Sequence, residues 1–181
     1  KQTIDRKMDS RDEAANDMIW QFVMTKAIAI ALNPITAADI IAGAAIDLGM
    51  IIRLSKFYGI PMTRSGAMKL LQSIAMGMGG LTVSELAANL GLSGIKSLFA
   101  ILAPATGGVS IAPYTAVALT QASIAGVSTY AIGQVTKTYL AKGASWGDDS
   151  PKSVITRILA TIDEHSIVDR IKQELGTKGN S

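Results

Sequence analysis

The chain has 181 residues, a net charge of +3 and no cysteine, which fits a single domain and excludes disulfides, thiolate catalysis and thiolate metal sites. The positive excess reads as small and dispersed. Three phenylalanines, four tyrosines and two tryptophans give no stacking platform for bases, so nucleic acid is not an expected partner. Residues 1–17 are too polar for a signal-peptide core, and a start at Lys1 rather than Met reads as a processed product or a piece of a longer polypeptide.

In chain order, Ser10-Arg11-Asp12-Glu13 has the spacing of a capping box, in which the serine accepts from the amide three residues on and the glutamate reaches back. It predicts a helix starting near residue 10, with Ala14, Met18, Ile19, Phe22 and Val23 on one side. Asn33-Pro34 should stop or kink it, because proline lacks the amide donor and disfavours helix before it. Thr36 to Asp39 opens a second helix to about Phe57. Tyr58-Gly59-Ile60-Pro61 is a turn with a left-handed glycine exit, and Thr63 or Ser65 caps a third helix through Met76.

Gly77 to Gly80 breaks that helix. Thr82-Val83-Ser84-Glu85 caps a short helix to Gly91, and another is expected from Ser93 to Ala103, followed by a loop over Ala105 to Gly108. A long helix should run from Pro113 to Ala141. Ser150-Pro151 caps the next, with proline at the first helical position, where its missing donor costs nothing. Val154, Ile155, Ile158, Leu159 and Ile162 form its stripe, and Ile167, Val168, Ile171 and Leu175 form another that ends at Gly176.

The fold class is therefore all-α: a compact multi-helix bundle with glycine- and alanine-rich apolar central helices and amphipathic terminal helices. The expected organisation is a polar tail over 1–9, an apolar helical domain over 10–142, a linker over 143–150, amphipathic helices over 151–176 and a tail over 177–181.

Charge is distributed very unevenly. Residues 97–136 carry none at all, and from Ala27 to Thr136 the only charges are Asp39, Asp47, Arg53, Lys56, Arg64, Lys69, Glu85 and Lys96. Soluble domains charge about a quarter of their residues, so this region is either buried on almost every face or in lipid. Pro113–Thr136 is the best spanning candidate, since about twenty apolar residues cross a bilayer core. Against it stand Thr115, Thr120, Gln121, Ser123, Ser128, Thr129 and Gln134, and a preference for alanine over leucine.

Small residues in that helix form two rows, Ala118-Ala122-Gly126 and Ala125-Thr129-Gly133, a helix-packing face that lets a neighbour approach closely. Asp39 and Asp47 lie near one face of the second helix and are possible buried acids. Asp39 reads as a helix cap. Asp47 is expected to pair with Arg53 or Lys56 or to sit at a solvent-facing rim, with an ion or proton path as the alternative.

No catalytic, cofactor or metal site is expected. His165, in Asp163-Glu164-His165-Ser166, reads as a solvated helix start rather than a metal ligand. Gly91 to Ser97 departs from a phosphate-binding loop, because the lysine must follow the second glycine directly. Guanine-reading and switch motifs are absent, and no serine has a histidine or lysine base at a recognisable local spacing.

Three segments together resemble a known family: Ala31-Leu32-Asn33-Pro34-Ile35-Thr36-Ala37-Ala38-Asp39-Ile40-Ile41, Tyr58-Gly59-Ile60-Pro61, and Thr129-Tyr130-Ala131-Ile132-Gly133 leading to Tyr139-Leu140-Ala141-Lys142-Gly143. The ordered set resembles the bacterial, cyanobacterial-like, GTPase-associated helical domain of unknown function, which normally follows an Era-like small GTPase domain. The likeness spans about residues 20–175.

The resemblance implies a non-catalytic, membrane-associating and oligomerising module whose GTP-binding domain is not in this sequence. It implies a bacterial inner membrane or thylakoid location, with termini on the cytoplasmic or stromal side. The implied partners are the membrane, the GTPase domain of a longer chain, and further copies or subunits of a membrane complex. A soluble helical interaction domain acting as accessory subunit is the alternative reading, and a channel or transport element a third.

Overall fold

A computed structural model describes residues 2–32, 37–78 and 111–179, with side chains over 3–31, 44–78 and 122–176. Outside the described residues lie the Asn33-Pro34 break, the Thr36 cap, Gly79-Gly80, the helices expected at 82–91 and 93–103, and the loop at 105–108. The side chains of Asp39 and Ala118 are outside them too.

Six α-helices make up the described chain: α1 (Gln2–Leu32), α2 (Ala37–Phe57), α3 (Arg64–Gly77), α4 (Ile111–Ala141), α5 (Pro151–Thr161) and α6 (Glu164–Gly179). The fold is all-α.

Helix α1 starts at Gln2, so the expected tail over 1–9 is helical and the capping box at Ser10 does not form. Ser10 Oγ instead donates to the Lys7 carbonyl at 3.2 Å. No glycine or proline interrupts residues 2–10, Asp5 in the first turn complements the helix dipole, and a mid-helix serine readily bonds back to the preceding turn. Residues 3–14 are exposed; burial begins at Ala15 and continues through Ile19, Val23 and Ala27.

α2 ends in a Schellman motif. Gly59 takes φ +72°, its amide donates to Lys56 at 3.1 Å, and the Ile60 amide donates to Ser55 at 2.9 Å. The fully buried Ser55 hydroxyl accepts from the Met62 amide at 3.1 Å, which fastens the turn to the helix it leaves. Arg11 of α1 donates to the Tyr58 carbonyl at 3.1 Å and lies 4.5 Å from the ring centroid. Burial, then the Asp12 charge, raise the Tyr58 phenol above its ordinary pKa, with Arg11 acting the other way.

Thr63 caps α3 by accepting from Gly66 at 3.1 Å, and Ser150 caps α5 by accepting from Ser153 at 3.2 Å, with Pro151 at the first position. Asp163 accepts from the Ser166 amide at the start of α6, leaving His165 exposed. Gly176 has no positive φ, so it does not end α6, which runs on to Gly179. Residues 143–150 form an ordered corner: Trp146 packs on Tyr139 with centroids 4.8 Å apart, and Arg157 holds Asp149 at 2.6 Å.

α4 is the central helix. It runs antiparallel to α1, because Asp12 meets Lys137, Ile19 meets Gly133 and Val23 meets Gly126. It also packs on α2, α5 and α6, while α5 packs on α3. Residues 122–127, 129, 131–133, 135 and 136 are all buried. Among the described residues no helix is long and apolar enough to cross a membrane. The spanning candidate Pro113–Thr136 falls within α4, where hydroxyls, amides and small residues keep hydropathy low. Over its described side chains, protein rather than open space surrounds it. Ile155, Ile167 and Ile171 join the same core as α1, α2 and α4, so the C-terminal helices complete the bundle.

Three glycines set the closest approaches, and at Gly77 of α3 a Cβ would overlap Ile155 Cδ1 of α5. A Cβ at Gly133 would stand 2.6 Å from Ile19 Cγ2, and one at Gly126 would overlap Ile171 Cδ1. Gly126→Leu and Gly133→Leu should each lower stability by about 1–3 kcal/mol or more, since overpacking forces side chains off their rotamers. Gly176→Ala, with nothing within 4 Å of the new methyl, should leave stability unchanged or raise it by up to about 1 kcal/mol. Thermal unfolding followed by circular dichroism checks all three.

Candidate functional site

Each of the three central helices places a polar side chain in its apolar stripe where the three can meet. On α1, Lys26 follows Ile19 and Val23 at seven and three residues. On α2, Asp47 precedes Met50, Ile51 and Leu54. On α4, Thr129 lies between Ala125 and Ile132. These spacings turn all three side chains toward the common core.

They meet there. Lys26 Nζ lies 2.7 Å from Asp47 Oδ2, and Thr129 Oγ1 donates to Asp47 Oδ1 at 2.7 Å. Exposure is 8% for Lys26, 5% for Asp47 and 0% for Thr129. The carboxylate thus has one partner on each oxygen, a lysine from one neighbouring helix and a threonine from the other. Among the described residues no buried side-chain nitrogen or oxygen lacks a hydrogen-bond partner. Removing two charges from water costs several kcal/mol per ion, and such a pair persists only with short, complete contacts of this kind.

The pairing of Asp47 with Arg53 or Lys56 is overturned. At about 100° per residue, Arg53 is some 240° and Lys56 some 180° round α2 from Asp47. Both are exposed, and Arg53 stands 6.0 Å from the Phe22 ring centroid. A lysine in the apolar stripe of α1 was the signal in the sequence that marks the true partner, and it passes unnoticed when charges are paired only within one helix.

The small residues of α4 are divided among its neighbours, with Thr129 going to Asp47 of α2. Ala122, Ala125 and Thr129 are buried, Gly126 faces Ile171 of α6 and Val23 of α1, and Gly133 faces Ile19 of α1. Two polar clasps secure the same helices nearer the surface. Asn16 accepts from Gln134 Nε2 and from Lys137 Nζ, both at 3.0 Å, while Lys137 reaches Asp12 at 2.7 Å. Trp20 Nε1 donates to Glu174 at 2.8 Å, and the Arg170 guanidinium stacks 3.8 Å from the Trp20 ring centroid.

A hollow of about 370 Å³ between α4 and the α5–α6 turn is lined by Tyr130, Gln134, Lys137 and Asp163 among others. Its lysine, amide and carboxylate already have the protein partners given above. Among the described residues no three histidines or acids converge to hold a metal. The arrangement at Asp47 fixes the register of three helices; it presents no group placed to act on a substrate.

Fold and site together define a helical bundle closed on a buried, hydrogen-bonded ion pair. A model for the family described as Domain of unknown function (DUF697) matches residues 1–164, and the chain belongs to that family. It is 34% identical over 128 residues to magnetosome membrane protein 22 of Magnetospirillum gryphiswaldense, covering 69% of this chain and 56% of that protein. It is 31% identical over 85 residues to a UPF0283 membrane protein of Vibrio parahaemolyticus (47% of this chain, 25% of that protein). It is 32% identical over 80 residues to a UPF0283 membrane protein of Vibrio campbellii (44% and 23%). The chain thus spans about half of one of these relatives and a quarter of the other two. No solved structure matches it significantly.

Asp47→Leu should cost roughly 3–5 kcal/mol, because it strands a buried ammonium, and Lys26→Met should cost a similar amount. The double variant should lose much less than the sum, since two apolar side chains can replace a buried pair. Denaturant unfolding of all four proteins measures the coupling; strict additivity would show that the pair does not act as a unit.

Proposed function

We propose that the chain is a non-catalytic, membrane-associating helical module belonging to a longer, GTPase-type protein. The observation that carries the membrane part is that the chain belongs to a family of unknown function and has three relatives named membrane proteins. The GTPase part rests on the resemblance of the Asn33-Pro34, Tyr58-Gly59 and Tyr139-to-Gly143 segments.

The proposed mechanism is attachment. The bundle holds the rest of a longer protein at a bacterial inner membrane or thylakoid, with its termini on the cytoplasmic or stromal side. A nucleotide state in an adjoining domain would bias how the helices pack, as any switch must favour one of two arrangements. Assembly into homo-oligomers or a membrane complex belongs to the same proposal. Within the small-residue row of α4, Gly126 and Gly133 are taken up by the chain's own α1 and α6, so copies would meet through other surfaces.

One observation favours the alternative, a helical interaction domain that serves as an accessory subunit: the described part of the charge-free run is buried within the protein. The channel reading, with Asp39 or Asp47 lining a path, meets an Asp47 whose two oxygens are both engaged.

Flotation of the chain with liposomes of bacterial lipid separates the first two readings. The expected result is recovery with the vesicles. Failure to float, together with sharp elution as a single species without detergent, would overturn membrane attachment in favour of a protein partner.

A further inference from the structure

The net charge of +3 is not spread over the surface. Residues 48–78 contain Arg53, Lys56, Arg64 and Lys69 and no acid, so this stretch is +4 and the remainder of the chain −1. All four bases are exposed, and none takes part in an ion pair among the described residues. Of the other exposed bases, Arg157 and Arg170 are each paired with a carboxylate, and Arg6, Lys7, Arg11, Lys142, Lys152 and Lys172 lie in stretches that also carry acids.

The same stretch carries three of the five exposed large apolar side chains among the described residues: Phe57 at 36%, Met68 at 39% and Met76 at 78%. On α3 the two kinds of residue share one face. Ala67, Leu70 and Ile74 are buried, whereas Met68, Lys69, Gln72 and Met76 fall within an arc of about 100° on the opposite side, with Arg64 at its edge. On α2, Arg53 and Lys56 lie on the exposed side away from Ile51 and Leu54, and Phe57, exposed at the end of the helix, stands at the border with the buried face near Met50. The Schellman turn at Gly59 and the Ser55–Met62 bond hold these two helices in fixed relation.

We propose that the exposed faces of α2 and α3 are the membrane-docking surface of this module, and that they bind anionic lipid headgroups. The proposal rests on the membrane-attachment reading above and names its surface and its lipid. Unpaired basic side chains supply long-range attraction to an anionic leaflet. Met68, Met76 and Phe57 supply shallow apolar insertion, while the lysine and arginine stems lie along the interface with their charges at headgroup level. An acidic protein or nucleic acid would meet the charges equally well. It would leave the unbranched methionines without a partner, and the stretch offers few aromatic rings for bases to stack on.

The test is flotation with two kinds of vesicle, pure phosphatidylcholine and phosphatidylcholine mixed with phosphatidylglycerol. The wild type is compared with Arg53→Gln/Lys56→Gln/Arg64→Gln/Lys69→Gln, with Met68→Gln/Met76→Gln, and with a control, Arg6→Gln/Lys7→Gln/Lys152→Gln/Lys172→Gln, which removes as many exposed charges elsewhere. Circular dichroism verifies that each variant is folded.

The wild type and the control should float with the anionic vesicles and release in high salt. Each base removed from the face should weaken binding about fivefold, the equivalent of ~1 kcal/mol per basic residue near an anionic surface, so the four-site face variant should not float. The methionine variant should bind less tightly and release at lower salt. Equal flotation of wild type and both face variants would overturn this surface while leaving membrane attachment intact. No flotation of the wild type on either vesicle would overturn membrane attachment itself and this inference with it. Retention on a polyanion resin without flotation would reassign the face to an acidic macromolecule.

Discussion

A single buried carboxylate governs how the three central helices meet. Asp47 reaches Lys26 on α1 and Thr129 on α4 at 2.7 Å each, in a core built mainly of alanine, isoleucine, leucine, methionine and valine. Apolar contacts are weakly directional and would tolerate a helix sliding by a turn. A charged pair with a third hydrogen bond is not tolerant, because a slip of about 5.4 Å would leave a buried ion without a partner. The cluster therefore selects one register for α1, α2 and α4 among several that hydrophobic burial alone would accept.

The rest of the bundle is arranged around that register. With α1 and α4 fixed antiparallel, Gly133 receives Ile19, and Gly126 receives Val23 and Ile171, which brings α6 onto the same central helix. Trp20 closes the outside of this contact through Glu174, Arg170 and an edge-to-face meeting with Tyr130. Each fully buried isoleucine or leucine contributes roughly 1.5–3 kcal/mol, and the small residues of α4 let many of them crowd one helix. The charge-free character of residues 122–136 is explained by their position inside protein, without recourse to lipid.

This arrangement has a consequence for attachment. A bundle whose central helix is wrapped by its own chain meets other surfaces with its periphery, and the periphery here is uneven. The N-terminal stretch and α6 carry mixed charge, whereas over residues 48–78 the exposed sides of α2 and α3 carry four bases and no acid, beside Met68 and Met76. Kinship with proteins named for membranes and a one-sided basic surface are independent observations, one from sequence comparison and one from the fold, and they point the same way.

Much of the fold was legible in the chain itself. Local rules are short-range and leave plain marks: Thr63, Ser150-Pro151 and Tyr58-Gly59 fixed the ends of α2, α3 and α5, and the apolar stripes of α5 and α6 followed from helical period. Where local rules compete they misled, as at Ser10, whose capping-box spacing sits inside a helix that nothing upstream interrupts. The sequence by itself also determined that the centre must be shielded from water. Only the tertiary structure decided by what it is shielded, and that the ion pair joins residues 26 and 47 rather than two on one helix. Partners on different helices are selected by packing between elements, and spacing along a single chain carries no record of that.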